Sequence, residues 1–132
     1  MKRDILISSQ ISCIKDLNSF LDAFFNESDL NRALFNRVFL GLSEAVNNSI
    51  VHGNRLDQNK NVKVTIDISE TSLILEIHDE GEGFSLSCME DPTCVENLKK
   101  ENGRGIFLMQ QIADEVTFLE GGRKVLISYN LS

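Results

Sequence analysis

The stretch that decides the fold is residues 62–78, VKVTIDISETSLILEIH, in which two runs of alternating apolar and polar residues stand close together. Residues 62–68 and 72–78 both alternate in this way, which is typical of strands with one buried face. The segment Glu70-Thr71 between them suits a tight hairpin turn, although it lacks the favoured glycine. Consecutive strands joined as a hairpin argue against a doubly wound βαβ arrangement, in which a helix separates neighbouring strands.

Two helices are predicted before this hairpin. Apolar residues recur at helical spacing over residues 12–26 and again over residues 30–51. In the second helix the predicted core stripe is Phe35, Phe39, Leu42, Val46 and Ile50. The predicted end signals are Ser12 as a cap of the first helix, Ser28 or Asp29 as a cap of the second, and Gly53 at its end.

The rest of the chain supplies the remaining elements of one domain over residues 1–132. Further strands are predicted at 5–7, 115–120 and 124–131, the last two joined at Gly121-Gly122. Further helices are predicted near 94–100 and after Gly105. The order β-α-α-β-β-loop-α-β-β predicts a two-layer α/β sandwich. Its sheet is expected to be mixed but mostly antiparallel, with helices on one face.

The charge balance restricts the partners. Lys and Arg total 13 against 20 Asp and Glu, so the formal net charge is −7. Such a chain suits neither a nucleic-acid backbone nor an anionic membrane, because both attract clustered basic residues. A small phosphate ligand stays open, because backbone N–H groups and a metal ion can hold it.

Cysteine usage and the chain start indicate a cytoplasmic protein. The cysteines Cys13, Cys88 and Cys94 are odd in number and fit no zinc spacing, so we expect free thiols in a reducing compartment. No apolar run has the length of a signal peptide or of a membrane helix.

Polar residues in the second helix are the first candidate site. Glu44, Asn47 and Asn48 lie opposite the predicted core stripe, and Glu44 and Asn48 are one helical turn apart. A solvated polar face explains such a pair, and so does a carboxylate base beside an amide that ligates a hard cation. Adjacent asparagines are poor helix formers, which favours the functional interpretation.

Two glycine-containing segments are the second and third candidates. Asp79-Glu80-Gly81-Glu82-Gly83 follows a predicted strand, where a carboxylate can select a ligand amine and glycine lets the backbone approach a ligand. Gly103-Arg104-Gly105 precedes a predicted helix, whose N-terminal N–H groups and dipole suit an anion, with Arg104 matching phosphate oxygens. Taken singly, the two segments also fit a glycine-rich turn and a flexible loop.

Together the segments resemble the motifs of the GHKL superfamily of ATPases and kinases, the Bergerat fold shared by histidine kinases, Hsp90, gyrase and MutL. Residues 43–53 resemble the N box, residues 79–84 the first glycine box and 103–109 the second. The single-domain length and His52-Gly53 after the N box are most similar to bacterial anti-sigma-factor serine-protein kinases.

The resemblance implies a site for ATP and Mg2+. It assigns nucleotide contacts to Asn47, Asn48, Asp79, Gly81, Gly83, Gly103, Arg104 and Gly105. Among these, Asn48 also ligates the Mg2+ that bridges the phosphates, and Asp79 accepts the adenine amino group. Glu44 acts as the general base for an incoming serine hydroxyl, and residues 85–102 form a mobile lid over the nucleotide.

The resemblance also implies partners. The serine would belong to a STAS-type anti-sigma-factor antagonist, and a sigma factor and a second copy of this chain are further candidates. Two departures from the family stand out, because Arg123-Lys124 replaces a common Gly-Thr and no Arg occurs around Lys15. A non-catalytic module that docks to a partner in response to ATP or ADP remains the alternative function. A histidine-kinase fragment is disfavoured, since no phospho-accepting helix pair precedes the N box.

Overall fold

The structure is a computed structural model that describes residues 1–81 and 109–131. Its main elements are, in chain order, β1 (Lys2–Ser8), α1 (Ile14–Ser28), α2 (Phe35–Asn48), β2 (Asn61–Ile68), β3 (Ser72–His78), β4 (Glu115–Leu119) and β5 (Lys124–Asn130). Short 3₁₀ turns at Ile11–Cys13 and Arg32–Leu34 precede the two helices, and a π-helical turn at Ser49–Gly53 extends α2. Residues 109–112 are helical, whereas the start of that predicted helix and the helix predicted near 94–100 lie outside the described residues.

The described strands form one five-stranded sheet in the order β1-β2-β3-β5-β4, with every neighbouring pair antiparallel. Both predicted hairpins are confirmed, and β1 is the predicted edge strand. The order places β5 between β3 and the edge strand β4. As a result, the turn that precedes β5 lies next to the end of β3, where the candidate residue Asp79 follows.

The core lies between one face of the sheet and the two helices. A row of register partners across the sheet carries apolar side chains on this face: Ile5, Val64, Ile77, Val125 and Phe118. The predicted stripe of α2 is confirmed for Leu42, Val46 and Ile50, which are fully buried, whereas Phe35 and Phe39 are partly buried and stack on each other at its margin. These observations confirm the predicted two-layer sandwich.

Helix α2 approaches β5 closely at Gly41. A Cβ atom at this position would overlap the hydroxyl group of the fully buried Tyr129. That hydroxyl donates to the backbone carbonyl of Arg37 at 3.3 Å, and the Arg37 guanidinium lies 5.6 Å from the ring centroid. Arg37 Nε also donates to the carbonyl of Ile112 at 2.8 Å, so α2 is tied to the helical residues before β4 as well.

The predicted helix caps are wrong, and the structure shows why. Ser12 lies inside a 3₁₀ turn, and no side chain caps α1. Asp29 adopts a left-handed conformation with φ 55° and ends α1, while the Ser28 hydroxyl donates to a carbonyl one turn back in that helix. The turn before α2 is capped instead by Asn31, whose side chain accepts from the Ala33 N–H at 2.9 Å.

Across the described ranges 1–81 and 109–131, no helix has both the length and the apolar character that a membrane crossing requires.

Candidate functional site

The C-terminal half of α2 carries the first group of predicted site residues. Glu44, Asn47 and Asn48 lie off the buried stripe, as expected, but each is half-buried rather than fully exposed. Glu44 precedes Asn48 by one turn, which corresponds to a rise of about 6 Å along an α-helix. The carboxylate and the amide therefore belong to the same side of one rigid element.

The end of α2 meets the residue that follows β3. The π-helical turn places Gly53 directly against the Asp79 side chain, so that a Cβ at position 53 would overlap the carboxyl group. The side chain of Ser49, the residue after Asn48, also acts on Asp79 and lowers the pKa of its carboxyl group. The turn that follows the predicted metal ligand Asn48 therefore packs against the predicted adenine acceptor Asp79.

Asp79 is a buried carboxylate with fixed geometry. Asp79 is only 5% exposed, and its Oδ1 atom accepts a hydrogen bond from the Gly81 N–H at 2.9 Å. Burial raises the pKa of Asp79 above its ordinary value, against the opposing effects of the Gly81 N–H, the neighbouring His78 and Arg123, and Ser49. A carboxylate held in this way is an acceptor whose position is set before any ligand arrives.

The β4–β5 turn supports Asp79 through its backbone. The Asp79 N–H donates to the Arg123 carbonyl at 2.9 Å. This is the position at which the sequence departs from the family's usual Gly-Thr pair. The contact with Asp79 at this position is made by a backbone carbonyl, which does not depend on the identity of the side chain. The Lys124 side chain instead forms an ion pair across the sheet, with Nζ 3.0 Å from the carboxylate of Glu76 in β3.

Close packing against another part of the chain excludes a side chain at Gly81. A Cβ at this position would overlap the backbone carbonyl of Gly53 and approach the Asp79 carboxylate. The two glycines therefore allow the loop after β3 to close onto the end of α2. Sequence reasoning expected Gly81 to let a ligand approach, and the structure adds this contact within the chain.

The other predicted ligand contacts fall outside the described residues. These are Gly83, Gly103, Arg104 and Gly105, together with the lid predicted over residues 85–102. Among the residues that the structure describes, no group of three or more His, Cys, Asp or Glu side chains is arranged to hold a metal ion. On the described surface, the metal donor that the sequence predicts is the single amide oxygen of Asn48.

Sequence reasoning missed Asn54, which is 1% exposed and lies at the centre of a polar network. Its Oδ1 accepts from the Glu80 N–H at 2.8 Å, and its Nδ2 donates to Ser9 Oγ at 2.8 Å and to the Asn61 carbonyl at 3.0 Å. The available signal was a Gly-Asn pair directly after a helix, which is usually read only as a helix end.

Comparison with known proteins agrees with this fold. The family model of the histidine kinase-like ATPase domain matches residues 7–129. The anti-sigma F factor of Shouchella clausii (strain KSM-K16) is 31% identical over 98 residues, which cover 73% of this chain and 67% of that protein. The chain therefore belongs to the histidine kinase-like ATPase family, within the GHKL superfamily. Within it, the chain is similar to an anti-sigma factor.

A solved structure shows the same fold. The crystal structure of the RsbU and RsbW domains of Rv1364c from Mycobacterium tuberculosis matches 98% of this chain with a TM-score of 0.68 and 13% sequence identity. The chain spans about a third of the length of that solved chain, since the match covers 32% of it. At this identity the match supports the architecture alone.

Proposed function

We propose that this chain is an ATP-dependent serine-protein kinase that phosphorylates a STAS-type anti-sigma-factor antagonist and sequesters a sigma factor. The observation that carries the proposal is the buried Asp79 carboxylate, held against the end of the helix that bears Glu44 and Asn48. Membership of an ATPase family supports the nucleotide, and the relative named anti-sigma F factor supports the type of partner.

Asp79 is proposed to select adenine. An ionised carboxylate only accepts hydrogen bonds, so it suits the exocyclic amine at position 6 of adenine and repels the carbonyl oxygen of guanine at the same position. The bonds from Gly81 and from the backbone of Asp79 to Arg123 hold the acceptor in place without a ligand. A preorganised acceptor loses less freedom on binding than a mobile one.

Asn48, Arg104 and the glycines of the two boxes are proposed to hold the phosphates and Mg2+. The chemistry of the donors fits, because amide oxygens suit a hard cation that takes its other ligands from phosphate oxygens and water. When bound, Mg2+ neutralises the charge that develops on the transferred phosphoryl group. Gly83, Gly103, Arg104 and Gly105 enter this proposal from the sequence alone, with Asn47 beside Asn48 on the described helix.

Glu44 is proposed as the general base. It would take the proton of the partner's serine hydroxyl while the serine oxygen forms the new bond to the γ-phosphorus and ADP leaves with the bridging oxygen. Its half-buried position one turn before Asn48 supports this role, since base and phosphate-side ligand then share one helix face.

A non-catalytic binding module is the second candidate. The name of the curated relative, anti-sigma F factor, describes binding to a sigma factor rather than catalysis. Such a module would form a nucleotide-dependent complex and leave the partner unmodified.

Co-purification tests the two candidates. Tagged chain is incubated with cell extract, ATP and Mg2+, and the captured proteins are analysed by mass spectrometry for phosphoserine. The kinase predicts a captured STAS-type protein that carries phosphoserine. With that partner, Glu44→Ala is expected to retain ATP binding and to lower the transfer rate about 10²–10⁴-fold. Glu70→Ala, in the exposed β2–β3 turn, is the matched control. Unchanged transfer in Glu44→Ala would refute the base, and a complex without phosphoserine would favour the binding module.

A further inference from the structure

The backbone N–H groups of residues 79, 80 and 81 each donate a hydrogen bond. The Asp79 N–H donates to Arg123 in the β4–β5 turn, and the Gly81 N–H donates to the Asp79 carboxylate. Between them, the Glu80 N–H donates to Oδ1 of Asn54, at 2.8 Å. This middle bond ties the segment to the end of α2 through the side chain of Asn54.

Asn54 is itself fixed from the opposite side. Its backbone N–H donates to the Ser49 carbonyl at 2.7 Å, which closes the π-helical turn. Its Nδ2 group donates to the Asn61 carbonyl at the start of β2 and to Ser9 Oγ after β1. Ser9 in turn donates to the Lys60 carbonyl at 2.7 Å. The amide therefore uses its acceptor towards the site and its donors towards the sheet.

A second contact reinforces the same geometry. The Glu80 carboxylate accepts from the Asn61 N–H, and the Asn61 carbonyl accepts from Asn54. Both backbone groups of Asn61 are thus hydrogen-bonded, the N–H to Glu80 and the carbonyl to Asn54. Few side chains of this size combine an acceptor and two donors, so the network requires an amide at position 54.

We infer that Asn54 is a positioning residue for adenine recognition, which sets where the Asp79 carboxylate stands relative to the end of α2. The inference rests on the proposed ATP site. Loss of the Asn54 acceptor frees the Glu80 N–H and lets residues 79–81 move away from Gly53, so the carboxylate no longer meets the adenine amine at one fixed position. A buried N–H left without a partner is also unfavourable, which drives that movement.

The test compares ATP and GTP affinities in folded variants by calorimetric titration with Mg2+. Asn54→Ala removes the acceptor, and we expect the ATP-over-GTP preference to fall about tenfold, the effect of losing one well-placed hydrogen bond. Ser9→Ala is the matched control, because it cuts the same network on the side away from Asp79. It is expected to lower stability while keeping the preference within about twofold of wild type.

Asn54→Asp adds a conservative variant that keeps an acceptor for the Glu80 N–H and loses the donors. We expect it to retain more of the preference than Asn54→Ala. Amide exchange in the wild-type protein needs no variant, and the inference predicts a slowly exchanging Glu80 N–H before nucleotide is added. An unchanged preference in Asn54→Ala, an equal loss in Ser9→Ala, or rapid exchange at Glu80 would overturn it. Failure of the proposed function looks different, since the wild-type chain itself would then not prefer ATP.

Discussion

Replacing Gly53 by alanine changes the contact between α2 and the adenine-selecting carboxylate by a single methyl group. A Cβ at this position would lie 3.0 Å or less from all three atoms of the Asp79 carboxyl group. Asp79 has little room to retreat, because its backbone N–H is bound to Arg123 and Oδ1 is bound to the Gly81 N–H. The side chain must therefore rotate or the loop must shift.

Two opposing terms set the effect of Gly53→Ala on stability. Alanine is favoured over glycine in helical backbone by about 1 kcal/mol. Overpacking a tight contact costs about 1–3 kcal/mol. Since the overlap involves three atoms of an anchored group, we expect a net destabilisation of about 1 kcal/mol, seen in urea unfolding as a lower midpoint with an unchanged slope.

The effect of Gly53→Ala on the site is expected to be larger. Displacing the carboxylate removes a hydrogen bond with a charged acceptor, which is worth about 1.5–3 kcal/mol and corresponds to an ATP affinity about 10–150-fold lower. Calorimetric titration of folded variant with ATP and Mg2+ measures this. Gly41→Ala is the matched control, because its Cβ meets Tyr129 rather than Asp79. A folded Gly53→Ala that binds ATP as tightly as wild type would refute the reasoning.

Three further predictions concern packing, charge and capping. Gly41→Ala should lower the free energy of unfolding by about 1–2 kcal/mol. Tyr129→Phe should cancel most of that loss in the double variant, because it removes the hydroxyl that the new methyl group overlaps. Losses that simply add in the double variant would contradict the contact. Because burial raises the pKa of Asp79 in the folded state, the ionised carboxylate costs stability at pH values above that pKa, and the cost disappears as the pH falls towards the unfolded-state value. Asp79→Asn should therefore be more stable than wild type at pH 7, by about 1 kcal/mol. It should lose this advantage near pH 4. An Asp79→Asn variant that is less stable than wild type at pH 7 would contradict a destabilising buried charge. Asn31→Ala should cost about 1 kcal/mol in chemical denaturation through loss of the cap, and an unchanged midpoint would show that the cap is unimportant.

The sheet was predictable because the alternation of apolar and polar residues within a strand indicates which face is buried. Residues 72–78 alternate except at the exposed Ile74, and the observed β3 has the same bounds. The second hairpin was equally clear from the pair Gly121-Gly122. In the structure both residues adopt positive φ values, 67° and 91°, which glycine permits. The positions of Asp79 and of the polar face of α2 followed from these elements.

The contacts that shape the site could not be predicted in the same way. Gly41 and Gly53 are small because of partners far away in the chain, Tyr129 and Asp79, which no local pattern reveals. Asn54 bonds to residues of three separate segments, so its role depends on the completed fold. The capping errors have a local cause, because Ser, Asp and Asn near a helix start compete for the same N–H groups and sequence alone does not rank them.

Calorimetric titration of the wild-type chain with ATP, first with Mg2+ and then with a chelator, tests the central claim most directly. The proposed site predicts one ATP bound per chain, affinity that collapses when Mg2+ is removed, and GTP bound about tenfold or more weakly, because guanine presents an acceptor to the Asp79 carboxylate. ATP binding of equal strength without Mg2+, or GTP bound as tightly as ATP, would contradict it.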